Sequence, residues 1–295
     1  MTIHLFILEA LVCAGLYTRV KVGGGPEYHS MTYPELRKEV SFLSQLFRGE
    51  FIFPPEGLDS NLDAALTRLE EDQVLTMARD SDGRIVDIEL SDHERESGRE
   101  NFDFYCFLIW PFIEASWLGA VSLMMLTPPL SESDGDRWLD VKQVHDVSQL
   151  LGKTLYHQGD LSYFEAVNKE TLKNAYLRFD EEGMIVSRKS RDAKVPAMLM
   201  LSDEWLPNRD TNTGRLIPEG RLWEFAEAIS QSRREGKNRR DGRTVQTRLL
   251  NLVDIVGKEL WDTKARAKNG SNNTEQDQKS KKSRRRRAIQ PTARL

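Results

Sequence analysis

The segment from Phe104 to Leu126 most constrains what this chain can fold into: 23 residues with one formal charge, Glu114, and one proline, Pro111. It is long enough to cross a bilayer. Against a span stand a mid-segment carboxylate that is costly in hydrocarbon and a proline expected to kink the helix, while Ala115 and Gly119 suit close packing against other helices. We read the segment as a buried core helix, with a membrane-embedded helix as the alternative. Its candidate membrane or core positions are Phe104, Trp110, Pro111, Phe112, Ile113, Glu114 and Trp117.

Around it the chain reads as helices and two short hairpins. Ile3 to Tyr17 is apolar but lacks a basic leader, so it reads as a helix of a larger core, and its abrupt start suggests a fragment. Gly23-Gly24-Gly25-Pro26 breaks the chain, and Thr32-Tyr33-Pro34-Glu35 has the form of a capping box opening a helix to about Arg48. Phe53-Pro54-Pro55-Glu56-Gly57 stops it; Asp59 or Ser60 is expected to cap the next helix, whose Leu62, Leu66 and Leu69 share a face. Val74 to Arg79 and Arg84 to Leu90 flank the turn-forming Asp80-Ser81-Asp82-Gly83 and predict a hairpin. Asp92 to Asp103 is charged and reads as a surface loop.

Beyond Thr127-Pro128-Pro129 and a linker at Ser131 to Asp136, helical patterns run from Trp138 to Lys153 and from Ser162 to Phe179. A second hairpin is expected over 184–201. Leu66 to Leu75 aligns with Tyr176 to Ile185, either as an internal repeat or as the shared grammar of an acidic helix end before a strand. We favour shared grammar, because the period exceeds 100 residues and little else aligns. Amphipathic helices follow at 221–232 and 244–261. From Lys264 the composition turns to Lys, Arg, Asn, Gln and Ser, where order is not expected.

Charge divides the chain. The net charge is -4, but residues 1–232 carry 23 basic and 39 acidic residues whereas 233–295 carry 19 and 7. An acidic body is a poor partner for nucleic acid, so any attraction to phosphate polymers or anionic membranes must come from the tail. Two cysteines, Cys13 and Cys106, lie in apolar runs and exclude a disulfide framework.

Catalytic constellations are scarce. The five histidines, His4, His29, His93, His145 and His157, have no partners at metal-ligand spacing, and neither a phosphate-cradling glycine loop nor a Gly-x-Ser-x-Gly occurs. No catalytic, cofactor or metal residue is therefore assigned, and no cofactor is expected. Phe53 to Gly57 is similar to the Phe-Pro-Glu-Gly block of glycerolipid acyltransferases. In those enzymes that block follows a His-x4-Asp dyad in which His accepts the acceptor's proton. No histidine here has Asp five residues on; His4 has Glu9. We read 53–57 as a helix breaker.

Three ordered segments carry a wider resemblance. Glu39 to Phe47, Asp103 to Trp117 with its Pro111-Phe112-Ile113-Glu114 core, and Gly152-Lys153-Thr154-Leu155 through Lys173-Asn174-Ala175 to Gly183-Met184-Ile185 resemble the C-terminal region of glycerol-3-phosphate and dihydroxyacetone-phosphate acyltransferases over roughly residues 1–205. The resemblance implies acyl transfer from acyl-CoA to the sn-1 hydroxyl of a three-carbon phosphate. The catalytic block is missing, so activity of the isolated chain is not expected.

The resulting expectation is an α+β fold, predominantly helical, with a body at 1–232, a linker and amphipathic helix at 233–263 and a disordered basic tail at 264–295. As a non-catalytic portion of such an acyltransferase it would support a catalytic domain, in cis or in trans, and help dock it to a membrane. The alternative is a winged-helix nucleic-acid-binding protein with a nuclear tail, since three helices followed by a hairpin is the winged-helix order. Ala293-Arg294-Leu295 has the small-basic-Leu form of a peroxisomal address read by an import receptor. The competing reading takes Lys281 to Arg287 as a nuclear-import or anionic-membrane patch.

Overall fold

The apolar run becomes the core of a 24-residue helix, α5 (Glu100–Leu123), and the other elements are laid around it. The computed structural model describes residues 2–266 apart from 24, 26, 27, 131–134, 190, 193, 194 and 235–245. The tail from 267, including Lys281 to Arg287 and Ala293 to Leu295, lies outside the described residues. The fold is α+β and mostly helical, with two small three-stranded antiparallel sheets.

The start of α5 corrects the expectation of a surface loop at 92–103. Ser91 accepts from Glu94 N at 3.1 Å and caps a short helix, α4 (Asp92–Ser97). The fully buried Glu94 carboxylate then receives Asn101 Nδ2 at 2.8 Å and Phe102 N at 3.1 Å, satisfying a free N–H of the first turn of α5. The many charges hid this, because the one carboxylate that turns inward carries no local signal.

Before α5 come α1 (Ile7–Val20), β1 (Met31–Thr32), α2 (Tyr33–Leu46), α3 (Leu58–Glu71), β2 (Leu75–Arg79) and β3 (Ile85–Leu90), the sheet having the order β1-β3-β2. The Thr32/Glu35 capping box opens α2 as expected. The cap of α3 is Gly57, at φ 93°, so Asp59 and Ser60 lie inside its first turn. A side chain there would be strained, which makes Gly57 the better stop.

After α5 the same order returns: β4 (Leu139–Asp140), α6 (Val141–His157), α7 (Lys169–Glu181), β5 (Ile185–Arg188) and β6 (Met198–Leu201), with sheet order β4-β6-β5. The equivalence reaches individual bonds. Val74 N donates to Leu69 O at 2.8 Å, and Met184 N to Phe179 O at 2.9 Å; Ser91 N donates to Val74 O and Ser202 N to Met184 O. Gln73 and Gly183, at φ 57° and 70°, turn each chain from helix to strand. Leu66, Leu69, Val74 and Leu75 are all buried, as are their counterparts Tyr176, Phe179, Met184 and Ile185. The alignment of 66–75 with 176–185 thus marks two units of one topology, contrary to the shared-grammar reading. Little else aligns because each position needs only an apolar side chain of suitable size.

The two units share one core. α1 packs against α5 as well as against α2 and α3, and α5 packs in turn against α6, α7, a 3-10 turn at Phe164–Val167 and α8 (Arg221–Gln231). Closest approach falls at glycines. A Cβ on Gly119 would sit 3.0 Å from the Phe179 ring and 3.2 Å from Ala175 Cβ, so α7 lies directly against α5 there. A last helix, α9 (246–266), returns to the body, where buried Trp261 donates Nε1 to Met125 O at 3.1 Å.

Candidate functional site: the charged cluster on the central helix

Most of the positions singled out on α5 face inward. Trp110, Ile113, Glu114 and Trp117 are buried, Pro111 and Phe112 are partly so, and only Phe104, 51% exposed, points outward with its neighbour Phe107 at 54%. Helix α5 continues through Pro111. The proline removes the N–H that would bond the Phe107 carbonyl, a loss tolerated here at the less covered end of the helix. Phe112 packs edge-on against Phe51, 4.9 Å between ring centres, and Trp110 against Tyr17 at 4.9 Å.

Glu114 is the centre of this constellation. No part of its side chain reaches solvent, yet it is fully partnered: Ser162 N donates to both carboxylate oxygens at 3.0 and 2.9 Å, Tyr163 N donates at 2.9 Å, and Arg233 Nη2 lies 3.5 Å away. Burial raises its pKa above the ordinary carboxylate value, opposed by the Arg233 guanidinium and the two backbone N–H groups. Burial also lowers the Arg233 pKa, which Glu114 opposes.

Arg233 stacks 3.7 Å over the Trp117 ring and donates to Asp160 O at 2.5 Å. Asp160 in turn binds Arg248 of α9. Arg234 lies 5.6 Å over Trp110 and reaches Tyr163 Oη at 3.4 Å, while Trp110 Nε1 donates to Ser232 O at 3.2 Å. The chain after α8 is thereby fastened to both tryptophans and to the central carboxylate. Such a cluster clamps three segments together; its carboxylate has its oxygens occupied and faces no open space, so it is built for holding rather than for proton transfer to a ligand.

The remaining titratable groups are dispersed. Among the described residues no group of three or more His, Cys, Asp or Glu is placed to hold a metal ion. The His4 ring packs on Phe51, and Glu9, the residue at the dyad spacing, is buried and bound to Arg68 at 2.7 Å. Cys13 and Cys106 are buried, and burial pushes both thiols well above their usual pKa.

The model of the glycerol-3-phosphate acyltransferase C-terminal region matches residues 1–188. This chain belongs to that family. The matched region covers the first unit, the whole of α5 and the second unit as far as the end of β5. No curated protein matches the chain. The family segment Asp103 to Trp117 is the stretch that carries Glu114, so the family's pattern and the buried clamp coincide on one helix. Arg233, by contrast, could not be found from sequence: it lies beyond the matched region and its partners are distant in the chain.

Proposed function

We propose that this chain is the C-terminal, non-catalytic portion of an enzyme that acylates the sn-1 hydroxyl of glycerol 3-phosphate or dihydroxyacetone phosphate from acyl-CoA. It supports a catalytic domain, supplied in cis or in trans, and helps dock it to a membrane. The family match over 1–188 carries the reading, and the lack of any His-x4-Asp pair in the sequence supports chemistry carried by a separate domain. The central segment, apolar enough to cross a membrane, is 78% buried over its apolar window, which supports the core-helix role. Membrane contact then falls to exposed side chains such as Phe104 and Phe107, aided by the basic tail. Peroxisomal delivery, resting on Ala293-Arg294-Leu295 and the import receptor that reads such tripeptides, completes the proposal.

The test is an acyl-transfer assay in two arms. The purified chain with acyl-CoA and either acceptor should give no turnover, whereas co-expression with a family catalytic domain carrying His-x4-Asp should yield a co-purifying, active complex. Turnover by the chain alone, abolished by changing one of its five histidines, would overturn the reading.

The repeated helix and hairpin order favours a second reading, a nucleic-acid-binding protein of winged-helix type. The helix that would enter the groove opposes it: α3 exposes Asp59, Asp63 and Glu71, Asp72 caps its C-terminus, and its Arg68 is bound to Glu9. A salt-sensitive shift of duplex DNA that survives removal of 264–295 would revive that reading.

A further inference from the structure

One groove is left unused by the reading above. It encloses about 410 Å3 between α1, α2 and the start of α3, and its apolar walls are Leu8, Val12, Val40, Phe53, Leu58 and Leu62. The Phe53 to Gly57 segment, a helix breaker by sequence, forms one side of it, fixed by Asn61 Nδ2 donating to Pro54 O at 3.0 Å. Val40, Ser44 and Arg48 follow one another at successive turns of α2 and its end, so the groove grades from a buried apolar end to an exposed cationic one.

Arg48 is distinctive. Arg19, Arg37 and Arg68 in the same unit are each bound to a carboxylate, but the Arg48 guanidinium has no ion pair among the described residues. An apolar channel ending at an unpaired guanidinium complements a molecule with a hydrocarbon body and one anionic end. A peptide fits less well: Ser41, Ser44 and Gln45 lie on the same side as Arg48, and a backbone laid along Val12, Val40 and Leu62 would find no polar partner there.

We propose that this groove binds a long-chain carboxylate, with the hydrocarbon along Val12, Val40 and Leu62 and the carboxylate on Arg48. The proposal does not depend on the acyltransferase reading.

The test is laurate binding to the full chain, below the concentration at which laurate aggregates, followed by calorimetry, with n-dodecanol as the uncharged comparison. Arg48→Gln should weaken laurate about tenfold or more, the loss of a charge-assisted bond, and change dodecanol by less than about twofold. Ser44→Trp and Ser41→Phe, each filling the groove from a partly exposed position, should abolish binding of both while melting like the parent. The assignment fails if laurate shows no saturable binding, if Arg48→Gln leaves laurate unchanged or weakens both ligands equally, or if either folded filling variant binds as the parent does.

Discussion

Arg233 and Glu114 meet in the interior, Nη2 to Oε1 at 3.5 Å, with the guanidinium carbon 3.7 Å from the centre of the Trp117 ring. The pair links the chain after α8 to the central helix. Removing the cation alone leaves the buried carboxylate with its backbone donors but no countercharge. Arg233→Met should therefore cost about 3–5 kcal/mol. The double variant Arg233→Met with Glu114→Gln should cost less than the sum of the single changes, measured as a double-mutant cycle in denaturant. Strict additivity would mean that the two groups do not interact.

Helix contact at glycine gives a second expectation. Gly119→Ala would place a methyl 3.0 Å from Phe179 and 3.2 Å from Ala175, so it should destabilise by about 1–3 kcal/mol. Gly49→Ala meets nothing within 4 Å and should be neutral within about 0.5 kcal/mol. Equal melting of the two variants would show that α7 does not press on α5 at Gly119.

Position on α5 should decide tolerance to charge. Ile113→Asp puts a carboxylate where no solvent reaches and should cost more than about 3 kcal/mol. Phe104→Asp, half exposed, should fold normally and lower partition onto anionic vesicles. An Ile113→Asp protein that melts like the parent would show that the segment is not buried.

Glu50 sets a pH dependence. Burial raises its pKa above the ordinary value, only partly offset by a hydrogen bond with Asn174. The folded chain thus holds this proton more tightly than the unfolded chain. Its effect is absent below the unfolded pKa of about 4.3, and stability is lost as pH rises through the raised folded value. Glu50→Gln should match the parent near pH 4 and become the more stable of the two toward neutrality, read from melting temperatures across that range. A gap that narrows as pH rises would contradict the assignment.

The destination can be tested with tagged protein. Deleting Ala293 to Leu295 should disperse a punctate signal, while neutralising the cations between Lys281 and Arg287 should leave it intact. If the deletion changes nothing and neutralisation empties the nucleus, the basic run is the address.

Much of the local structure, and the family, is legible in the order of residues alone. Thr32 and Glu35 announce the start of α2, Asp80 to Gly83 the turn of the first hairpin, and the Phe104 to Leu126 composition the central helix, because capping, turn formation and hydrophobic burial depend on residues close in the chain. The ordered segments through Gly183-Met184-Ile185 likewise carry the family's signature, which matches over 1–188. Three relationships emerge from the folded chain alone: Glu94 turns inward to cap α5, residues 66–75 and 176–185 occupy equivalent places in two like units, and Glu114 is met by Arg233 and the amides of Ser162 and Tyr163. Each of these needs a buried polar group to find partners across the core, where desolvation makes the pairing obligatory but chain separation leaves no periodicity to read.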